Sequence, residues 1–184
     1  MENISVQRRD MAVKAKKLRQ LGKVPGTVFG SSMPESISIE MEVSAAEKLL
    51  RSKREGSRLT LELDGKKLPV QIKELSVDVL SGQILNLSFQ ALNAEVKVNS
   101  VIHLLVANDE KLPAPLEKLL MVIPYASLPA NMIDTLTVDV EGMKEGQCLF
   151  VKDIPQLMAE DIELQVDPEE LVLRVAEKRR AGAE

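Results

Sequence analysis

Apolar and polar residues alternate in short runs along most of this chain, the period-two pattern of strands buried on one face. Asn3 to Gln7 alternates this way and predicts a short strand; Ser36 to Glu42 (SISIEME) predicts another. Between them, Val24 to Gly30 (VPGTVFG) predicts a strand entered through Pro25, which lacks an amide donor and belongs at a strand start or an edge. The clearest unit is SRLTLELDGKKLPVQIKEL, two alternating runs around Asp64-Gly65, the pair favoured in a type I′ hairpin turn. Gln83 to Leu92 predicts a further strand after the turn residues Ser81-Gly82.

Two stretches depart from this period. Met11 to Leu21 lacks Gly and Pro, carries good helix formers and predicts a helix with Met11, Ala15 and Leu18, and Leu21 at its end, on one apolar stripe. Gly22 would stop it, and Lys23 would sit at the end where the helix dipole favours a cation. Ser44 followed by Glu47 reads as a capping box opening a second helix, with Ala46, Leu49 and Leu50 facing the core. The first half thus offers five or six strands and two helices, a spacing that fits a small barrel or a strongly twisted sheet.

The second half repeats the strand theme. EVKVNSVIHLLVA reads as one long strand or a strand pair, DTLTVDVEGM and QCLFVKDI as strands around a turn, and AEDIELQVDPEELVLRV as a strand, an Asp167-Pro168 turn and a last strand. The tail EKRRAGAE is small and charged and is expected to fray. The expected fold class is mainly β with short helices: an N-terminal small β-barrel with two to three helices over residues 1–91, and a C-terminal β domain over 92–184.

Charge sharpens that division. Residues 1–91 hold 15 Lys+Arg against 11 Asp+Glu, a net of +4, whereas residues 92–184 hold 9 against 17, a net of −8. Arg8, Arg9, Lys14, Lys16, Lys17, Arg19 and Lys23 fall within 16 positions, opposed there only by Asp10. Such a run is either a solvated helix face or a surface for a polyanion such as nucleic acid. No apolar run is long enough to span a bilayer, no signal-peptide core is visible, and the single Cys148 cannot form an internal disulfide, which together favour the cytoplasm.

Catalytic chemistry has little to work with. His103 lies alone in an apolar run and reads as structural, and Cys148 lies in an apparent strand where burial would leave it inert. One His and one Cys do not make a zinc site, and no phosphate-binding, dinucleotide or nucleophile-elbow pattern occurs. The expectation is no enzyme, no cofactor, no metal and no small-molecule substrate. Aromatic residues make up 2%, too few for a stacking platform, and only Phe29 stands beside the basic run. That leaves recognition of phosphates and shape on a structured RNA.

KKLRQLGKVPGTVFG resembles the pattern R-R-L-R-x-x-G-x-[IV]-P-[AG]-[VI]-[VI]-[YF]-G of the bacterial large-subunit ribosomal protein family L twenty-five. VIPYASLPANMIDTLTVDVEGMKEGQCLFVKDI and VDPEELVLRV are similar to the added C-terminal domain of the family's long form, the general stress protein Ctc. The resemblance covers essentially the whole chain. It implies a cytoplasmic, ribosome-associated protein of the 50S subunit that binds 5S ribosomal RNA through its N-terminal barrel and is a monomer off the ribosome.

The same resemblance places Lys16, Lys17 and Arg19 in the family's basic cluster, matches Pro25 and Gly30 to the following strand, and sets Phe29 where Tyr is common. The candidate RNA-binding residues are therefore Arg8, Arg9, Lys14, Lys16, Lys17, Arg19, Lys23, Phe29 and Asn86. In SVDVLSGQILNLSF the chain departs: Ser76 replaces a Gln, Val79 a Pro, Asn86 a His and Ser88 an Asp. These departures shorten polar groups on the family's RNA-facing surface. They open an alternative reading, a stress-related protein-interaction module that keeps the fold with weakened RNA binding.

Overall fold

A computed structural model describes residues 3–31 and 33–177. The chain divides into two compact units, one running to Val98 and including Leu128–Ala130, the other made of Asn99–Ser127 and the chain from Asn131 onward.

The first unit holds strands β1 (Asn3–Arg8), β2 (Lys23–Phe29), β3 (Ile37–Glu42), β4 (Arg58–Leu63), β5 (Lys66–Val77) and β6 (Ile84–Ala91), with helices α1 (Ala15–Gln20) and α2 (Val43–Ser52). The strands close into a barrel in the order β1-β3-β2-β6-β5-β4. Closure uses a parallel pairing of β1 with β4, and a second parallel pairing joins β2 to β6. Alternation sends Val24 and Val28, Leu59 and Leu61, Val70 and Ile72, and Leu87 and Phe89 into one core. The hairpin turn forms as expected, with Asp64 and Gly65 both at positive φ (53° and 75°), as a type I′ turn requires.

Three expectations are corrected. Helix α1 begins only at Ala15: the Asp10 carboxylate accepts from the Ala12 amide at 2.9 Å and the Val13 amide turns back to the Asp10 carbonyl, a local turn that competes with helix. Met11 and Leu21 are consequently exposed (71% and 64%), and only Leu18 of the expected stripe is buried. The capping box at Ser44 is not formed; α2 starts one residue earlier, where the Val43 amide donates to the Gly22 carbonyl at 2.9 Å. Pro25 lies on no edge, because the barrel has none. Instead, the β2–β6 ladder begins only at Gly26↔Leu87, so the proline precedes that ladder.

In the second unit, β7 (Val98–Ala107) is one long strand. It joins β9 (Val122–Ser127), β10 (Thr135–Asp139) and β12 (Glu163–Leu164) in a four-stranded sheet ordered β10-β7-β9-β12. A three-stranded sheet, β11-β13-β8, combines β11 (Cys148–Phe150), β13 (Leu171–Val175) and β8 (Leu116–Lys118). Their shared core includes Ile102, Ile123, Tyr125, Val151, Leu157 and Val172. The Tyr125 hydroxyl is satisfied inside it, donating to the Ile133 carbonyl and accepting from the Ile133 amide, each at 2.8 Å. The expected tail lies outside the described residues from Lys178 on.

Candidate nucleic-acid interface

The site is built around an irregularity in β6. Val77 pairs with Ile84 and Ser76 with Asn86, which leaves Leu85 as the unopposed residue of a β-bulge. An unopposed carbonyl needs another donor. The Arg19 guanidinium supplies it, Nη1 donating to the Leu85 carbonyl at 3.2 Å and fixing α1 beside the start of β6. Beyond the bulge, Leu87, Phe89 and Ala91 enter the core while Asn86, Ser88 and Gln90 face outward.

Strand β2 extends this outer face. Thr27 pairs with Ser88 and Phe29 with Gln90, and both β2 residues are half-buried on the side opposite the core residue Val28. On the other flank Ser76 faces Asn86 and Glu74 faces Ser88. The Asn86 side chain donates to the Ser88 hydroxyl at 3.4 Å, and buried Gln71 donates to Gln90 at 2.8 Å. Phe29 and Asn86 therefore share one face, next to α1. The sequence reading missed Gln90, although the period of two from Asn86 through Ser88 carries the signal.

The seven clustered cations separate into two groups. Lys14, at the start of α1, and Lys16 and Lys17 on it are exposed, and among the described residues no partner engages their ammonium groups. The other four have intramolecular work. Arg8 pairs with Asp64 at 2.7 Å on the far side of the barrel seam. Arg9 donates to the Val13 carbonyl at 3.0 Å, steadying the β1–α1 loop. Arg19 holds Leu85, and Lys23 pairs with Glu40 at 2.5 Å. Lys23 thus belongs to β2 rather than capping α1, and its hydrogen bond to Glu40 raises its pKa above the ordinary lysine value.

Close packing at the β2–β6 seam explains two glycines of the recognised stretch. A Cβ at Gly26 would stand 2.8 Å from the Leu87 carbonyl oxygen, and one at Gly30 would stand 2.9 Å from that of Ala91. Gly22, at φ 76°, ends α1 in the left-handed conformation. Residues 4–89, which contain this barrel and its α1 seam, match the Ribosomal L25p family. Residues 95–179 match the C-terminal domain of ribosomal protein TL5.

The chain belongs to the ribosomal L25p family.

The two matches make it a long, two-domain member. Among similar proteins is the large ribosomal subunit protein bL25 of Caldanaerobacter subterraneus subsp. tengcongensis, 28% identical over 92% of this chain and 86% of the relative. The bL25 proteins of Enterococcus faecalis (27% identical; 91% and 83% covered) and Listeria monocytogenes (24%; 96% and 86%) are also similar. The L25p family is a ribosomal protein family and carries no catalytic activity with it. Within this L25p member, His103 is half-buried on β7 opposite Thr135. Cys148 is half-buried on β11 rather than enclosed, its thiol 3.7 Å from the Gly146 carbonyl, which corrects the expectation of full burial. Among the described residues no group of three or more His, Cys, Asp or Glu could hold a metal ion, and no helix is long and apolar enough to cross a membrane.

Proposed function

We propose that this protein is a component of the large ribosomal subunit, ribosome-associated in the cytoplasm, and binds 5S ribosomal RNA through the barrel of residues 1–91. Residues 92–184 form an added acidic β domain. The observation that carries the reading is the Arg19–Leu85 clamp. It sets the three uncommitted lysines, Lys14, Lys16 and Lys17, beside the outward row of Thr27, Phe29, Asn86, Ser88 and Gln90. The lysines would neutralise phosphates, and the short polar side chains would meet ribose hydroxyls and base edges in a wide, shallow minor groove.

The test is a salt titration of binding to a 5S ribosomal RNA transcript. Each phosphate contact contributes about 0.7–0.9 to the slope of log K against log salt, so alanine at Lys14, Lys16 and Lys17 together should lower the slope by about 2. Absence of binding by the parent chain at low salt refutes the proposal.

A second reading, a protein-interaction module with weakened RNA binding, draws support from Glu74. Its carboxylate stands opposite Ser88 on the same face, where it repels phosphate. Sedimentation with 50S subunits through moderate salt separates the two: loss of the protein from that fraction favours the second.

A further inference from the structure

The loop joining β5 to β6 carries the two most exposed large aliphatic side chains among the described residues, Val79 at 95% and Leu80 at 98%. A single exposed aliphatic needs no explanation, but an adjacent pair held on a rigid turn does. Asp78 builds that turn. Its carboxylate accepts from the Ser81 hydroxyl at 2.6 Å and from the Leu80 amide at 3.2 Å. Its carbonyl accepts from the Gly82 amide at 2.7 Å, and its amide donates to the Gln83 carbonyl at 2.8 Å. The Ser81 hydroxyl in turn accepts from the Gln83 amide at 3.3 Å. The side chains are thus displayed with their backbone already ordered, which lowers the entropy cost of covering them.

Their position points to what covers them. The tip ends at Gln83, directly before Ile84 and the bulged Leu85 that Arg19 holds. It therefore leads into the end of β6 that Arg19 ties to α1, the helix that carries Lys16 and Lys17 and follows Lys14. A surface that covers the tip also meets this positive charge, so its occupant is anionic. We propose that Val79 and Leu80 form an apolar wedge that packs on the ribose and base surface of the bound RNA, beside the phosphates held by Lys14, Lys16 and Lys17. This rests on the RNA-binding reading above and adds to it a contact that phosphate recognition does not supply. An apolar contact releases no counterions, so it contributes affinity without contributing to the salt slope.

That difference makes the test. The double variant Val79→Ser/Leu80→Ser, in the full chain, alters no buried residue and should keep the parent's circular dichroism and thermal midpoint. Its affinity for a 5S ribosomal RNA transcript should fall roughly tenfold while the salt slope stays that of the parent. Asp78→Ala keeps both aliphatic groups but removes their anchor, and should lose part of the same factor. An affinity within twofold of the parent overturns the wedge. If that same double variant is also depleted from 50S subunits, the tip docks on a ribosomal protein instead. A fall in slope together with affinity equally overturns it, because the loss is then electrostatic. Failure of the RNA-binding reading looks different: the parent chain itself does not bind, and both proposals fall.

Discussion

Replacing Gly26 by alanine would put a methyl group where strand β6 already is. The added Cβ would lie 2.8 Å from the Leu87 carbonyl oxygen and 3.3 Å from Cγ1 of Ile39. Ile39 can shift by a few tenths of an ångström; the Leu87 carbonyl is backbone and belongs to the β2–β6 ladder. Overpacking of this kind costs about 1–3 kcal/mol. Alanine also narrows the unfolded ensemble, returning about 0.4–1 kcal/mol. The net expectation is a loss of roughly 1–2 kcal/mol, which for a barrel of this size lowers its midpoint by roughly 5–15 °C. Because the chain has two units, amide hydrogen exchange resolved by segment is the better assay. Exchange should speed up across β2 and β6 and stay unchanged in β7 to β13. Gly65→Ala is the comparison: no atom stands within 4 Å of its added Cβ, but its φ of 75° strains any L-residue, so its effect should be local to the hairpin turn. Protection in β2 and β6 equal to or above the parent's would refute the argument, since the seam would then have room for a side chain.

Arg19→Ala should destabilise the barrel by about 1 kcal/mol, a charge-assisted hydrogen bond discounted for partial exposure, and weaken RNA binding several-fold. If the clamp is its role, the salt slope should change by much less than the ~0.7–0.9 of a phosphate contact; a full-sized change would reassign it. Tyr125→Phe removes the one group that satisfies both the amide and the carbonyl of Ile133, and should cost the second unit about 1–3 kcal/mol in denaturant unfolding; unchanged stability would contradict it. Acid should act through aspartates. Asp109 is held below the ordinary value by its hydrogen bond to Lys118, Asp139 by Asn108 and Asp78 by Ser81. Groups whose folded pKa is depressed stabilise the fold above the ordinary aspartate value and lose that contribution as pH falls through the folded value. The thermal midpoint should therefore hold between pH 7 and 5 and decline below about pH 4; a decline complete by pH 5 would contradict it.

How much of this could be read from the chain depended on whether the determinant was local. The alternation in β3 and β4, the Asp64-Gly65 turn and the Gly22 stop are local properties and formed as expected, whereas in β5 Gln71 is buried between Val70 and Ile72 and the alternation breaks. The errors came where a local signal met a competing bond. Residues 11–14 have helix-forming composition, yet the Asp10 side chain takes the Ala12 amide first. Ser44 and Glu47 have capping-box spacing, yet the Val43 amide is already bound to Gly22, 21 positions away in sequence. The roles of the cations were less legible still. Lys23 and Arg8 look identical to Lys16 in a charge count, and only the folded barrel brings Glu40 and Asp64 to them. Arg19 required knowing that β6 carries a bulge at Leu85, a register shift set by the pairing of two strands.

The stretch that carries the family resemblance is, in this light, mostly architecture. Gly22 ends α1, Gly26 and Gly30 admit β6, Arg19 satisfies the bulge, and Lys23 pairs across to β3. Gly22 is fixed by its positive φ, and each of the others is held by a neighbour that leaves little freedom for replacement. Among the described residues nothing holds Lys14, Lys16 and Lys17, and on β6 the row of Asn86, Ser88 and Gln90 faces away from the core. On the proposed reading, fold and RNA affinity are carried by largely separate residues interleaved in one segment. A chain can keep every seam residue, and with it the barrel, while its polar row shortens to Asn86 and Ser88. On the proposed reading its affinity then rests on three lysines and the apolar tip of Val79 and Leu80, so RNA affinity varies among chains that share this fold.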